Sequence, residues 1–260
     1  MESASSASEL RRTPLPNPPP QGGRGFGSAP SSLEGEGRGG GCGAAGDALY
    51  RLLAWTSPAY PTGAFSYSHG IELAVEDGLV RDRASLVDWI GHILRHGAGW
   101  LDAVLFARAY EADDETLPGL AELAMAWRGT AETALESTQQ GSAFLTVTRN
   151  AWPDARLDIL GNGPVALPIV FAVAARAVPR DAALTAFLHG VAANLVSAGV
   201  RLVPLGQTDG QRAVAALAPV VAEVAARAAE TPIDRLGSAA PVVDWTSMRH
   251  ETQYTRLFRS

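Results

Sequence analysis

The chain of 260 residues contains no lysine; all 21 of its basic side chains are arginine. A P-loop needs a lysine at the β- and γ-phosphates, a protein kinase needs its strand lysine, and a pyridoxal enzyme needs one for its Schiff base. Those classes are excluded. Cysteine is almost as scarce. The single Cys42 can form neither an internal disulfide nor a Cys-x-x-Cys metal site, so a reducing, cytoplasmic setting is expected. No apolar run reaches about 18 residues, so no membrane span is expected. The N-terminus has no continuous apolar core of the kind a signal peptide needs. Positive charge is short as well. The balance is 21 − 27 = −6, which leaves no electrostatic footprint for nucleic acid.

What is present divides unevenly. Residues 1–46 hold 11 of the 27 Gly and 6 of the 17 Pro, with four Arg against four Glu. A segment of that composition buries too little apolar surface to offset its ordering entropy, and it is expected to be a disordered, dispensable extension. From Asp47 to Ser260 the pattern is helical, and we expect an all-α, single-domain bundle of roughly eight to ten helices.

Asp47 is a plausible cap for a helix over 48–56. Pro58, Pro61 and Gly63 mark a loop, and a helix over 66–77 follows with Ser66 as its cap and Gly78 as its stop. Ser85 is read as the cap of a longer helix. Its stripe of Leu86, Trp89, Ile90, Ile93 and Leu94 repeats at i, i+3, i+4, i+7 and i+8. Gly97 and Gly99 break the pattern before residues 101–110. Leu120, Leu123, Ala124 and Trp127 continue the period, and 130–148 is helical despite Gly141. Residues 150–163 read as a loop. Residues 165–178 are apolar all round, which fits a buried central helix. Two further stripes run through Leu184 to Leu195 and Val214 to Val224, and a last helix covers 241–252. The acidic run 111–136, with seven carboxylates against Arg128, is expected to be a solvated face.

Few residues carry recognisable chemistry. His92 and His96 stand at i and i+4 and share a helix face, so the pair could hold a metal if further ligands came from elsewhere. The plainer expectation is two imidazoles at the edge of the core. Ser66, Ser68 and His69 suggest a nucleophile and a base, but no elbow motif surrounds them and no nearby carboxylate orients His69. His250-Glu251 is half of a zincin motif, with Tyr254 where the second histidine would stand. The turn Gly206-Gln207-Thr208-Asp209-Gly210 offers a helix N-terminus, with Thr208 or Asp209 as cap, and a weak anion site. The C-terminal run from Arg249 to Ser260 interleaves arginine with Tyr254, Leu257 and Phe258. Those residue types are enriched at interface hot spots, and a docking segment is as good a reading as a tail packed on its own domain. No transferable chemical group is placed, which favours an interaction protein over an enzyme. The rivals are a helical small-molecule enzyme with a pocket near His69 or His92, and a metal carrier using His92 and His96.

Four segments in order sharpen this. They are Leu53 to Pro58 with Pro61-Thr62-Gly63-Ala64-Phe65-Ser66-Tyr67-Ser68-His69-Gly70-Ile71-Glu72; Thr133 to Gly141 with Glu136, Gln140 and Gly141; Arg201 to Gln211; and Ser247 to Ser260. Together they resemble the UreF family of urease accessory proteins over about residues 48–260. The resemblance implies an all-helical, non-catalytic homodimer without a cofactor. It implies binding to UreD (also called UreH), recruitment of the GTPase UreG and delivery of nickel to apo-urease, with control of GTP hydrolysis. It also implies that the tail becomes ordered on UreD. Its interface would comprise Arg249, His250, Glu251, Gln253, Tyr254, Arg256, Leu257, Phe258 and Arg259, and removing residues 249–260 should leave the fold intact. A dimer or GTPase face is expected at Pro61, Gly63, Phe65, Ser66 and Tyr67 and at Gly206, Gln207, Thr208 and Asp209.

Overall fold

Helix starts are set by local hydrogen bonding. In α3 (Arg83–His96) the Asp82 carboxylate accepts from the Ser85 backbone N–H at 2.8 Å, and the Asp82 N–H returns a bond to the Ser85 hydroxyl at 3.1 Å. This reciprocal box satisfies two N–H groups that no helical carbonyl can reach. The cap is therefore Asp82, three residues before the Ser85 expected from the sequence. The same device opens α6 (Ala131–Ala151), where Thr130 and Thr133 bond each other.

The structure is a computed structural model that describes residues 40–260, and the expectation of disorder lies outside the described residues for 1–39. Ten α-helices and four 3-10 turns occur among the described residues, with no strand. Besides α3 and α6 they are α1 (Gly40–Trp55), α2 (Ile71–Glu76), α4 (Ala98–Glu111), α5 (Leu117–Ala126), α7 (Leu167–Ala174), α8 (Arg180–Leu202), α9 (Gln207–Glu230) and α10 (Pro241–His250). The fold is all-α, as the periodicity requires. The first helix begins ahead of Asp47 rather than at it. The loop expected over 150–163 contains a 3-10 turn, Ala155–Leu160, capped by Asp154.

The core centres on α4 and α7. Val104, Leu105 and Phe106 of α4 and Ile169, Val170, Ala172 and Val173 of α7 have no exposure. Around them Phe106, Phe144, Phe171 and Phe187 cluster with ring centroids 5.0–6.1 Å apart, Phe144 and Phe171 stacked and the others tilted or edge-on. Trp55 of α1 closes one end, 5.9 Å from Phe171. Each such aromatic contributes about 1.5–3 kcal/mol through burial alone. The all-round apolar segment is buried as expected but shorter than 165–178. Pro168 lies in the first turn of α7, and the chain tightens into a 3-10 turn at Ala175–Ala177 before Pro179. Gly141 lets α6 meet the start of α7, because a Cβ there would lie 2.1 Å from the Val165 carbonyl oxygen.

By length and composition alone α8, with 23 residues, is apolar enough to cross a membrane. Within the fold it packs on α9, α3 and α4, burying Leu184, Phe187, Leu188, Leu195 and Val196.

Candidate functional site

Three of the four family-like segments meet at one place, and Arg201 at the start of the fourth reaches it. The loop after α1 makes a 3-10 turn at Ala64–Ser66, and the chain then reverses through two successive left-handed residues, His69 (φ 57°) and Gly70 (φ 76°). His69 is the one non-glycine residue with positive φ among the described residues. The reversal delays α2 to Ile71, so the helix expected from Ser66 does not form and Ser66 caps nothing. Gly70 is required here. A Cβ would lie 2.9 Å from the Ser247 backbone nitrogen and from the Thr246 hydroxyl of α10, and left-handed φ already strains other residues.

The freed backbone of this loop is paired with the chain's last residues. The Ser66 carbonyl accepts from the Arg259 N–H at 2.8 Å, and the Ser68 N–H donates to the Ser260 main-chain oxygen at 2.8 Å. The Ser68 hydroxyl donates to that same oxygen. Beneath this pairing lies Glu72, on the first turn of α2 and only 8% exposed. Its carboxylate accepts from the Leu257 N–H at 2.6 Å and the Phe258 N–H at 2.9 Å, and it stands 3.0 Å from His250 Nε2. The other ring nitrogen of His250, Nδ1, faces Glu132 at 2.8 Å. Glu132 accepts from Arg256 at 2.9 Å. Burial pushes the Glu132 carboxyl up, against the pull of its bonds to His250 and Arg256.

Phe258 is sealed beside this clasp. The Arg201 guanidinium stands 4.2 Å from its ring centroid and donates to the Phe65 carbonyl at 2.7 Å. Glu136 completes the junction, accepting from the Ser260 hydroxyl at 3.0 Å and facing His69 Nδ1 at 3.1 Å. Burial pulls the His69 imidazole down, but the Glu136 carboxylate and its hydrogen bond more than offset this, and the net shift is upward. Sequence reasoning found no carboxylate for His69 because Glu136 comes from α6. Glu132 and Glu136 belong to the acidic run expected to be solvated, and both side chains are instead turned inward.

A cavity of about 360 Å³ opens beside the junction. His69, Glu136, Asp102 and Arg128 contribute its polar lining, and Tyr60 and Phe171 part of its apolar wall. Asp102, raised by burial and drawn back down by Arg128, accepts from that guanidinium at 2.7 Å.

The expected interface residues thus divide. His250 and Phe258 are sealed in the domain's own interior, and Gln253 is half-buried and bonded to Glu76. Arg249, Glu251, Tyr254, Arg256, Leu257 and Arg259 are exposed, Tyr254 fully and Leu257 to 65%. Arg249 pairs with Asp77 at 3.0 Å and stacks on Trp245 at 4.7 Å. The outer face of α10 adds Val242, Trp245 and Met248, which the sequence reading missed although their i, i+3, i+6 spacing marks one helix face. Of the other expected face, Pro61 and Phe65 are exposed, Gly63 and Ser66 are partly so, and Tyr67 is buried. The 206–209 turn lies apart from the clasp. Gly206 occupies the cap position with no side-chain bond, so neither Thr208 nor Asp209 caps α9. Asp209 instead pairs with Arg83 at 2.8 Å and Arg212 at 3.1 Å, while Gln207 and Thr208 are exposed. His92 and His96 stand side by side on the solvent face of α3.

Known proteins match this chain closely. The family model described as UreF matches residues 80–218. The urease accessory protein UreF of Granulibacter bethesdensis is 52% identical over 222 residues, covering 82% of this chain and 94% of its own. UreF of Rhodopseudomonas palustris strain HaA2 is 52% identical over 224 residues, covering 83% and 94%. UreF of Bradyrhizobium diazoefficiens is 48% identical over 222 residues, covering 82% and 92%. The chain belongs to the UreF family. UreF proteins are urease accessory proteins, which gives this chain a role in urease maturation. Within the UreF frame, the clasp is a device that fixes the last residues of the chain on the domain and leaves their outer edge in solvent.

Proposed function

We propose that the chain is a non-catalytic scaffold of urease maturation, active as a homodimer in the cytoplasm. It binds UreD (UreH) through the exposed edge of its C-terminal segment, recruits the GTPase UreG and modulates its GTP hydrolysis, and so promotes nickel insertion into apo-urease. The observation that carries this reading is the division of the tail. Glu72, Glu132 and Glu136 fix its backbone and inward side chains, while Tyr254 and Leu257 stand out beside the apolar α10 face. Large aromatic and aliphatic side chains held in solvent on a fixed backbone carry a reduced ordering cost when a partner covers them. The family resemblance implies a tail that orders as a whole on UreD; a tail already fixed on its own domain offers UreD only its outer edge.

A double variant, Tyr254→Ala with Leu257→Ala, tests it. It should keep the wild-type thermal midpoint and fail to co-purify with UreD. Undiminished co-purification would overturn the docking role. UreG GTP hydrolysis measured with and without the assembled complex tests the regulatory part, and an unchanged rate counts against it. His69 facing Glu136 beside the cavity supports a second reading, a small-molecule enzyme. It requires turnover by the isolated chain that His69→Ala abolishes.

A further inference from the structure

Of the five described histidines, two are buried and three, His92, His96 and His189, are exposed. His69 and His250 are buried and held by carboxylates. His92 and His96 are exposed, and neither ring has a hydrogen-bond or ion-pair partner among the described residues. From these two imidazoles we infer a divalent metal site on the last turn of α3, taking a borderline cation such as Ni²⁺, Cu²⁺ or Zn²⁺. It stands apart from the scaffold reading and does not depend on it.

The separation of the rings carries the inference. A metal–nitrogen bond of about 2.0–2.1 Å sets each imidazole centroid about 3.2 Å from the ion, so centroids 5.0 Å apart subtend about 100° at it. That angle lies between the cis octahedral and the tetrahedral values. The rings are tilted by 49° rather than stacked flat, and the broad χ2 torsion of histidine lets each ring turn a nitrogen toward a shared ion.

The platform is rigid. Leu86, Ile90, Ile93 and Leu94 of α3 are fully buried, and the His96 carbonyl accepts from the Ala239 N–H at 2.7 Å and the Ser238 hydroxyl at 3.1 Å. Both ligands therefore start from a fixed backbone, and ligation costs only side-chain freedom. The electrostatics agree. The C-terminal end of a helix carries partial negative charge and attracts cations. The one cation between the two histidines, Arg95, is turned to Glu223 at 2.9 Å. Imidazole suits nickel, copper and zinc, whereas magnesium and calcium require oxygen ligands, so the site discriminates by ligand type. Water completes the coordination sphere on the open side.

Titration calorimetry of the full chain with Ni²⁺, and with Mg²⁺ for contrast, tests this. Wild type should bind one Ni²⁺ through this site and no Mg²⁺. His92→Ala and His96→Ala should each weaken the Ni²⁺ step at least tenfold while leaving the metal-free thermal midpoint unchanged. Paramagnetic Ni²⁺ should broaden the NMR signals of His92 and His96 ahead of those of His69, His189 and His250. Absence of Ni²⁺ binding, equal binding by the double His→Ala variant, or first broadening at another histidine would overturn the assignment.

Discussion

Replacing Glu72 with alanine removes the acceptor that holds the tail. In the folded chain this carboxylate accepts from the N–H groups of Leu257 and Phe258 at 2.6 and 2.9 Å and stands 3.0 Å from His250 Nε2. Alanine leaves both N–H groups without it, in a place only 8% exposed, and it leaves His250 with Glu132 alone. Each orphaned N–H costs about 1–3 kcal/mol, so the two together set an expected loss of about 2–6 kcal/mol. The segment from Gln253 to Ser260 can open without the core, so much of that loss should appear as local release. Native-state hydrogen exchange reads it directly. The amides of Leu257 and Phe258 should exchange at least a hundredfold faster in Glu72→Ala than in wild type, while those of α4 and α7 keep their protection. Trypsin gives an independent readout. The chain has no lysine, so cleavage after Arg256 should appear early in the variant and not in wild type. Unchanged protection at Leu257 and Phe258 would refute the clasp. The same reasoning revises the expected effect of removing residues 249–260. That cut takes His250 from between Glu72 and Glu132 and exposes the seat of Phe258, so it damages the fold as well as the tail.

Further outcomes follow from the same geometry. Gly70→Ala should lose at least about 1–2 kcal/mol from left-handed φ alone, and more where its Cβ meets Ser247 and Thr246, which a urea midpoint measures. Gly141→Ala should cost at least about 1–3 kcal/mol by forcing α6 from the start of α7; an unchanged thermal midpoint would count against that close approach. Phe258→Ala should cost about 3–5 kcal/mol, seen as a lower urea midpoint. The His69 imidazole is held above its ordinary 6.5 by Glu136, so its stabilising contribution is complete below that value and is lost as pH rises through the folded-state pKa. The stability gap between wild type and Glu136→Gln should therefore be widest near about pH 6 and narrow toward about pH 9; a gap that widens over that range would contradict the pair.

Much of the bundle was legible because a buried helical stripe repeats every 3.6 residues whatever its neighbours. The stripes of α3, α8 and α9 fell where the apolar residues placed them. Helix starts were harder. Asp82 and Ser85 are both capping residues, and only the geometry of the box shows which is outside the helix. The start of α2 depends on a left-handed histidine, which no propensity announces. The site was legible in its pieces and not in its assembly. Arginine and aromatics marked the tail, and proline and glycine marked the 61–70 loop. Glu72 looked like an ordinary carboxylate in a first helical turn, and Glu132 and Glu136 looked like part of a solvated acidic face. Their burial comes from partners more than a hundred residues distant, Ser260, His250 and the backbone at 257–258, which local sequence does not record.

The most direct measurement is the affinity of the purified chain for UreD, compared between wild type and the Tyr254→Ala, Leu257→Ala double variant at matched thermal midpoints. A scaffold that docks through the fixed outer edge of its tail should lose at least tenfold in affinity while its fold is untouched. Equal affinity in the two proteins would contradict that role for the C-terminal segment.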